Sequence, residues 1–235
     1  MNLSLTRYVG FAAAVAALSL TALAPAANAQ FVNTVEGNPQ IQLNNVAAPD
    51  AGGAFVGSLT SPFTIAAGSE NASGFVRSAA YRNTNNLLDF YYQIVVTTTT
   101  GGITATNLSD FTGYSTQTAF NNTSDVDGAG ALTSGGQRPF GSQRVSGGVV
   151  AFAFNGNALT GGGNAPGVLL SGQTSAVLIV RTNATVTTIG NGTVNGAAAA
   201  NAPIIAPTVV PEAGTLALLL PAFALGAVAV IRRKK

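Results

Sequence analysis

Cysteine and histidine are both absent from the 235 residues of this sequence. Without histidine there can be no histidine-based catalytic triad, and without cysteine there is no thiolate nucleophile. Ordinary zinc sites are excluded for the same reason, and no disulfide framework can support a weak core. The sequence therefore predicts a protein that is not an enzyme and that carries no cofactor.

Charge is also scarce, since charged residues make up only 8% of the chain. The formal net charge of +2 arises at the two ends, where Arg7 and the last four residues supply five of the ten cations. Residues 30–210 carry five arginines, seven acidic residues and no lysine. The middle region is therefore slightly acidic, and its charge does not predict a nucleic-acid partner.

The first 29 residues have the pattern of a secretory signal peptide. One cation, Arg7, precedes an apolar stretch over residues 9–24, and Ala27 and Ala29 then form a small-x-small cleavage site. We expect signal peptidase to cut after Ala29, which makes Gln30 the first residue of the mature chain. A retained N-terminal membrane helix is the alternative, and the cleavage site argues against it.

The opposite end of the chain has the pattern of a membrane anchor. Residues 214–231 contain no charge, and as a helix they would span about 27 Å, close to the ~30 Å hydrocarbon thickness of a bilayer. Four cations follow this run, and the positive-inside rule places them in the cytoplasm. They are Arg232, Arg233, Lys234 and Lys235. A buried core helix is the alternative, but such a helix would show a polar face and no such basic end.

The residues just before this run carry a further signal. Pro211, Glu212, Ala213 and Gly214, followed by the apolar span and the basic end, resemble the PEP-CTERM sorting signal of Gram-negative bacteria. Ala213 stands where that family usually has a second proline. The resemblance implies that exosortase, a membrane-embedded cysteine transpeptidase, processes the chain near Pro211, so that the cytoplasmic membrane is a transient anchor. It also implies a final place at the cell surface or in the extracellular matrix, with exopolysaccharide and biofilm.

The middle of the chain shows a repeat of two residues, which is typical of β-strands. Large apolar residues at 88, 90, 92, 94 and 96 alternate with other residues, and two further apolar runs occupy 149–154 and 175–180. Weaker strands are predicted at 41–43, 55–65, 75–81, 103–106, 115–120 and 184–189. Gly- and Asn-rich turns separate these segments, which favours an antiparallel β-sandwich over residues 30–189. A parallel β-solenoid is the rival fold, but the sequence has no fixed-period repeat.

Residues 190–209 are rich in Gly, Asn and Ala and contain two prolines. Such a composition has few large apolar side chains to bury, so we expect a flexible stalk. The predicted organisation is then a signal peptide at 1–29, a sandwich at 30–189, a stalk at 190–209 and a sorting signal at 210–235.

One pair of carboxylates remains as a route to acid–base or metal chemistry. Asp125 and Asp127 would lie on one face of an extended segment. The surrounding residues are similar to a calcium loop, but Thr123 and Ser134 stand where that loop needs its first ligand and its bidentate glutamate. We therefore expect a solvated turn, and an enzyme that uses the two carboxylates is only an alternative.

Four tyrosines could instead bind sugar. Tyr81, Tyr91, Tyr92 and Tyr114 could build a stacking face, although aromatic residues on strands more often pack in a core. The expected function is a structural or interaction role in a biofilm or envelope. The alternative is a carbohydrate-binding module for the associated exopolysaccharide.

Overall fold

The computed structural model describes residues 31–46, 53–122, 132–156 and 167–208. These residues form eleven β-strands in two antiparallel sheets, and no helix occurs among them. A helix able to cross a membrane is accordingly not found in these ranges. The all-β prediction is confirmed for this part of the chain. The predicted signal helix and transmembrane helix lie outside the described residues.

The strands vary from three to fourteen residues in length. They are β1 Val32–Thr34, β2 Ala54–Ala67, β3 Glu70–Arg82, β4 Leu88–Thr99, β5 Ala105–Leu108, β6 Thr116–Asn121, β7 Gly141–Val145, β8 Val149–Ala153, β9 Val177–Thr182, β10 Thr187–Asn195 and β11 Ala199–Pro207. The first sheet has the spatial order β1-β6-β9-β4-β3-β2, and the second has the order β11-β10-β5-β8-β7.

Strand β4 lies inside the first sheet and confirms the strongest strand prediction. Its apolar face, which includes Leu88, Phe90 and Tyr92, is fully buried. The opposite face is buried as well, because Val46 and Leu132 come from outside the strands and pack over it. The first sheet is therefore covered on both faces around β4.

The two sheets share one hydrophobic core. Phe90 and Ile94 of the first sheet belong to the same cluster of buried side chains as Phe152 and Ile204 of the second. Hydrogen bonds also join the sheets, since the Tyr92 hydroxyl donates to a carbonyl oxygen of β11 at 2.7 Å. The core thus lies between the sheets, as apolar side chains from both inner faces require.

Residues 190–208 form strands, so the prediction of a flexible stalk at 190–209 is wrong for them. β10 and β11 pair along nine residues each, and Val194 and Ile204 are fully buried. The small residues have a packing role: a side chain on Gly192 would come within 2.9 Å of Ile204, so glycine lets the strand approach its neighbour closely. The folded unit therefore does not end at residue 189, as predicted, but extends at least to Pro207.

Other strand predictions differ in detail. Residues 41–43 make only an isolated bridge, between Ile41 and Ser142 of β7, and the strand expected at 184–189 begins at Thr187. β1 and β7 were not predicted, because neither has the alternating apolar pattern. Together the bridge and β1 fasten residues 31–46 along one edge of both sheets, since β1 pairs with β6 of the first sheet.

Candidate functional site

Most residues that the sequence assigns to targeting or chemistry lie outside the described ranges. They are Ala27, Ala29 and Gln30 of the cleavage site, Asp125 and Asp127 of the carboxylate pair, Pro211, Glu212, Ala213 and Gly214 of the sorting motif, and the basic residues Arg232, Arg233, Lys234 and Lys235. Their predicted roles stay predictions. The nearest described residues are Phe31 at one end and Thr208 at the other.

The four tyrosines do not form an exposed stacking face, so their positions give no support to the alternative of sugar binding through them. The rings of Tyr81 and Tyr91 pack edge to face, 5.1 Å apart, and both are buried. Tyr92 is fully buried, and its pKa is raised well above the usual value, first by burial and then by the negative charge of Asp110. Tyr114 is half-buried against the core, and burial raises its pKa.

A different polar surface occurs on the outer side of the second sheet. Five uncharged side chains project from β5, β10 and β11, on the face opposite the core, and we call them the amide face: Asn107, Asn191, Thr193, Asn195 and Asn201. Burial alternates strictly along most of β10 and β11, which shows that one face packs inside while the other meets solvent. Asn191 and Asn201 are exposed, and the other three are half-buried.

The register of the strands brings these side chains into rows. Thr193 lies beside Asn201 on one neighbouring strand and beside Asn107 on the other. The Thr193 hydroxyl donates to the Asn201 side-chain oxygen at 3.2 Å. Neighbouring strands are about 4.8 Å apart, so donors and acceptors recur at about this spacing across the three strands. Each amide offers two donor hydrogens and one acceptor oxygen, which suits a ligand that is rich in hydroxyl groups and uncharged.

No ionisable group belongs to the amide face, and β5, β10 and β11 contain no charged residue. The side chains of the amide face therefore offer hydrogen bonds and apolar contact. Elsewhere in the described ranges, no cluster of acidic residues is arranged to hold a metal ion.

The ion pair on the outer face of the first sheet has a structural role. Arg181 donates to both carboxylate oxygens of Asp89, with the shortest contact at 2.8 Å, and Asn83 donates to the same carboxylate at 3.0 Å. The guanidinium also lies 4.0 Å above the Phe31 ring. Asp89 is buried and all its contacts are internal, so this pair fastens the start of the folded unit to β4 and β9.

The sequence does not reveal the amide face because four of its five residues fall within the predicted stalk, while Asn107 lies just after the strand predicted at 103–106. The repeat of two was nevertheless present, since Gly190, Gly192 and Val194 alternate with amide and hydroxyl residues. Glycine in the apolar positions hid that signal. Neither a protein-family model, a curated protein nor a solved structure matches this chain.

Proposed function

We propose that this chain is an exported, non-enzymatic protein of the cell surface or exopolysaccharide matrix of a Gram-negative bacterium, with a structural or interaction role in biofilm or envelope. Signal peptidase removes residues 1–29. The apolar span in residues 210–235 holds the chain in the cytoplasmic membrane until exosortase processes it near Pro211. The observation that carries the proposal is the combination of the Pro211-Glu212 motif, an uncharged run of eighteen residues and four terminal cations.

The passenger is a β-sandwich in this proposal. Support comes from the shared core, to which both sheets contribute large apolar side chains. The antiparallel pairing of every strand in the two sheets is also typical of sandwiches. A compact domain of this kind, without a metal cluster in its described part, suits a component that binds or spaces other molecules.

Substitution of Glu212 tests the sorting step. A plain membrane anchor depends on hydrophobicity and on the flanking cations, so Glu212→Ala would hardly change its insertion. A transpeptidase that reads the motif loses its one charged recognition group, and an unmade polar contact can change discrimination by orders of magnitude. We therefore expect full-length Glu212→Ala protein to accumulate in the cytoplasmic membrane, whereas the unmodified protein becomes about two dozen residues shorter.

Glu36→Ala is the matched control, because Glu36 is an exposed carboxylate of the passenger. This variant should be processed like the unmodified protein. Each version is compared by mass spectrometry of membrane and extracellular fractions, in a host with exosortase and in one without it. If the Glu212→Ala and unmodified proteins have equal masses and locations in the host that has the enzyme, the sorting proposal is wrong and the tail is an ordinary membrane anchor.

The amide face favours carbohydrate binding as the second candidate function. A neutral polysaccharide presents many hydroxyl groups, and the amide and hydroxyl side chains of the amide face can hydrogen-bond to them. Affinity electrophoresis of the passenger in gels that contain the host polysaccharide tests this. Asn191→Ala combined with Asn201→Ala should abolish retardation, and Asn85→Ala, an exposed loop asparagine, should retain it. Equal mobility of all versions, with and without polysaccharide, would exclude this function.

A further inference from the structure

The chain leaves the folded unit at the end of β11, and several elements begin or end beside this point. The Thr208 amide donates to the Val186 carbonyl oxygen at 3.1 Å, which holds the end of β11 against the β9–β10 connection. Arg82, at the end of β3, donates to the Thr185 carbonyl oxygen at 3.2 Å. Ala54, the first residue of β2, pairs with Arg82. We call this part of the domain the exit end.

Exposed apolar side chains are concentrated there. Among the described residues, seven large apolar side chains are exposed, and four of them lie at the exit end. Phe55 is 49% exposed, Val56 41%, Val186 43% and Ile189 71%. Leu170, which is 51% exposed, lies at the opposite end of the strands. Ile189 lies on the outer face of the second sheet, and Phe55 packs against the Tyr81 ring outside the first, so the exposed apolar side chains are distributed around the exit end. A concentration of exposed apolar side chains at one end of a domain is typical of a surface that contacts another apolar phase.

The connection from the exit end to the apolar span is short. Five residues, 209–213, separate Thr208 from the uncharged run that begins at Gly214. Even when fully extended, this connection reaches at most about 20 Å. The headgroup layer of one leaflet already takes roughly 5–8 Å of that distance. The end of a six-stranded sheet is about 24 Å wide, so a domain on this tether cannot move away from the bilayer by more than its own width.

We propose that the exit end rests on the membrane surface while the tail is anchored, with Phe55, Val56, Val186 and Ile189 inserted among the lipid headgroups. This inference rests on the anchor that the proposed function assumes. The occupant of the surface is a lipid bilayer. Arg82 belongs to the exit end and can pair with a lipid phosphate. Exposed Asp110 lies beside β10, and its negative charge counteracts the attraction between Arg82 and lipid phosphates. Apolar contact therefore provides most of the attraction to the bilayer.

The tether is essential to this docking. A single myristoyl chain binds membranes with an association constant of only about 10⁴ M⁻¹, and four partly exposed side chains bury less apolar surface than such a chain. The exit end therefore binds only where the tail keeps it at a high local concentration. Removal of the tail would release the domain from the surface.

The absence of tryptophan from the whole sequence makes a direct test possible. Full-length protein with Ile189→Trp is reconstituted into vesicles of phosphatidylethanolamine and phosphatidylglycerol with brominated acyl chains, which quench tryptophan at short range. Leu170→Trp is the matched control, because it exchanges another exposed aliphatic residue, 51% exposed, at the opposite end. The same Ile189→Trp variant is also prepared with its last residue at Thr208.

Docking predicts a blue-shifted and quenched signal for full-length Ile189→Trp, and an unshifted, unquenched signal for Leu170→Trp. The shortened variant should remain unquenched and should not float with vesicles. If full-length protein floats but its Ile189→Trp signal equals that of Leu170→Trp, the docking proposal is wrong and the anchor stands. If full-length protein does not float with vesicles, the anchor itself is wrong and the docking fails with it. Thermal unfolding of both variants shows that each is folded.

Discussion

Replacement of Ile204 by alanine tests whether residues 190–208 are part of the folded core. Ile204 is fully buried in the cluster that both sheets share. Truncation of a buried isoleucine to alanine costs about 2–5 kcal/mol, and the loss is larger where neighbours cannot fill the cavity. Gly192 lies directly against this side chain and has no side chain to move into the space. We therefore expect a loss of about 3 kcal/mol in the free energy of unfolding.

Ile189→Ala is the matched control, since Ile189 lies on β10 of the same hairpin but is 71% exposed. Its substitution should change stability by less than about 0.5 kcal/mol. In thermal unfolding of a domain of this size, 3 kcal/mol corresponds to a decrease of roughly 6–12 °C in Tm. If these residues formed a flexible stalk, both variants would unfold at the temperature of the unmodified protein. That result would refute the assignment of β10 and β11 to the core.

Three further predictions follow from the packing. Because burial raises the Tyr92 pKa, the folded state keeps this proton to a higher pH than the unfolded chain, so stability is complete below about pH 10 and falls above it. Urea unfolding should show a smaller fall in Tyr92→Phe, and an equal fall in both proteins would contradict the assignment. Asp89→Ala should cost about 3 kcal/mol because it removes the buried carboxylate that accepts hydrogen bonds from Arg181 and Asn83, and a double-mutant cycle with Arg181→Ala that gave no coupling would disprove this. Gly74→Ala should cost about 1–3 kcal/mol, because the new Cβ would clash with the Val95 carbonyl oxygen and lie 2.9 Å from the Phe63 ring. Gly57→Ala is the control, since its nearest contact would be at 3.9 Å, and it should unfold at nearly the same denaturant concentration as the unmodified protein.

The sequence predicts those strands whose buried face is made of large apolar residues. β4 and β8 satisfy this condition, and they were found at nearly the observed bounds. β7 does not satisfy it, because its inward-facing residues are Ser142 and Arg144. Their burial depends on distant partners: Ser142 shares a hydrogen bond with Thr118 at 2.7 Å, and Arg144 donates to the carbonyl oxygen of Phe111 at 2.7 Å. No local pattern in β7 encodes those contacts.

The candidate site shows the same division between local and distant information. The targeting segments are read from contiguous residues, and their roles remain predictions. The burial of Tyr91 depends instead on Leu132, which lies forty-one positions later in the sequence and packs in the same buried cluster. A strand pattern alone cannot tell a covered tyrosine from an exposed one. The amide face likewise required the register of three strands, since Asn107 meets Thr193 only across a long sequence separation.

The position of β11 has a mechanical consequence for an anchored protein. β11 is the edge strand of its sheet, and in the proposed anchored form residues 209–213 connect its end to the apolar span. Tension on the tail therefore acts along the axis of this strand. The nine paired positions with β10 share that load in shear, so their hydrogen bonds must fail together and cannot open one after another. A folded edge strand in place of a loose stalk would thus give the proposed attachment a stiff first element, which transmits force from the membrane to the domain with little extension.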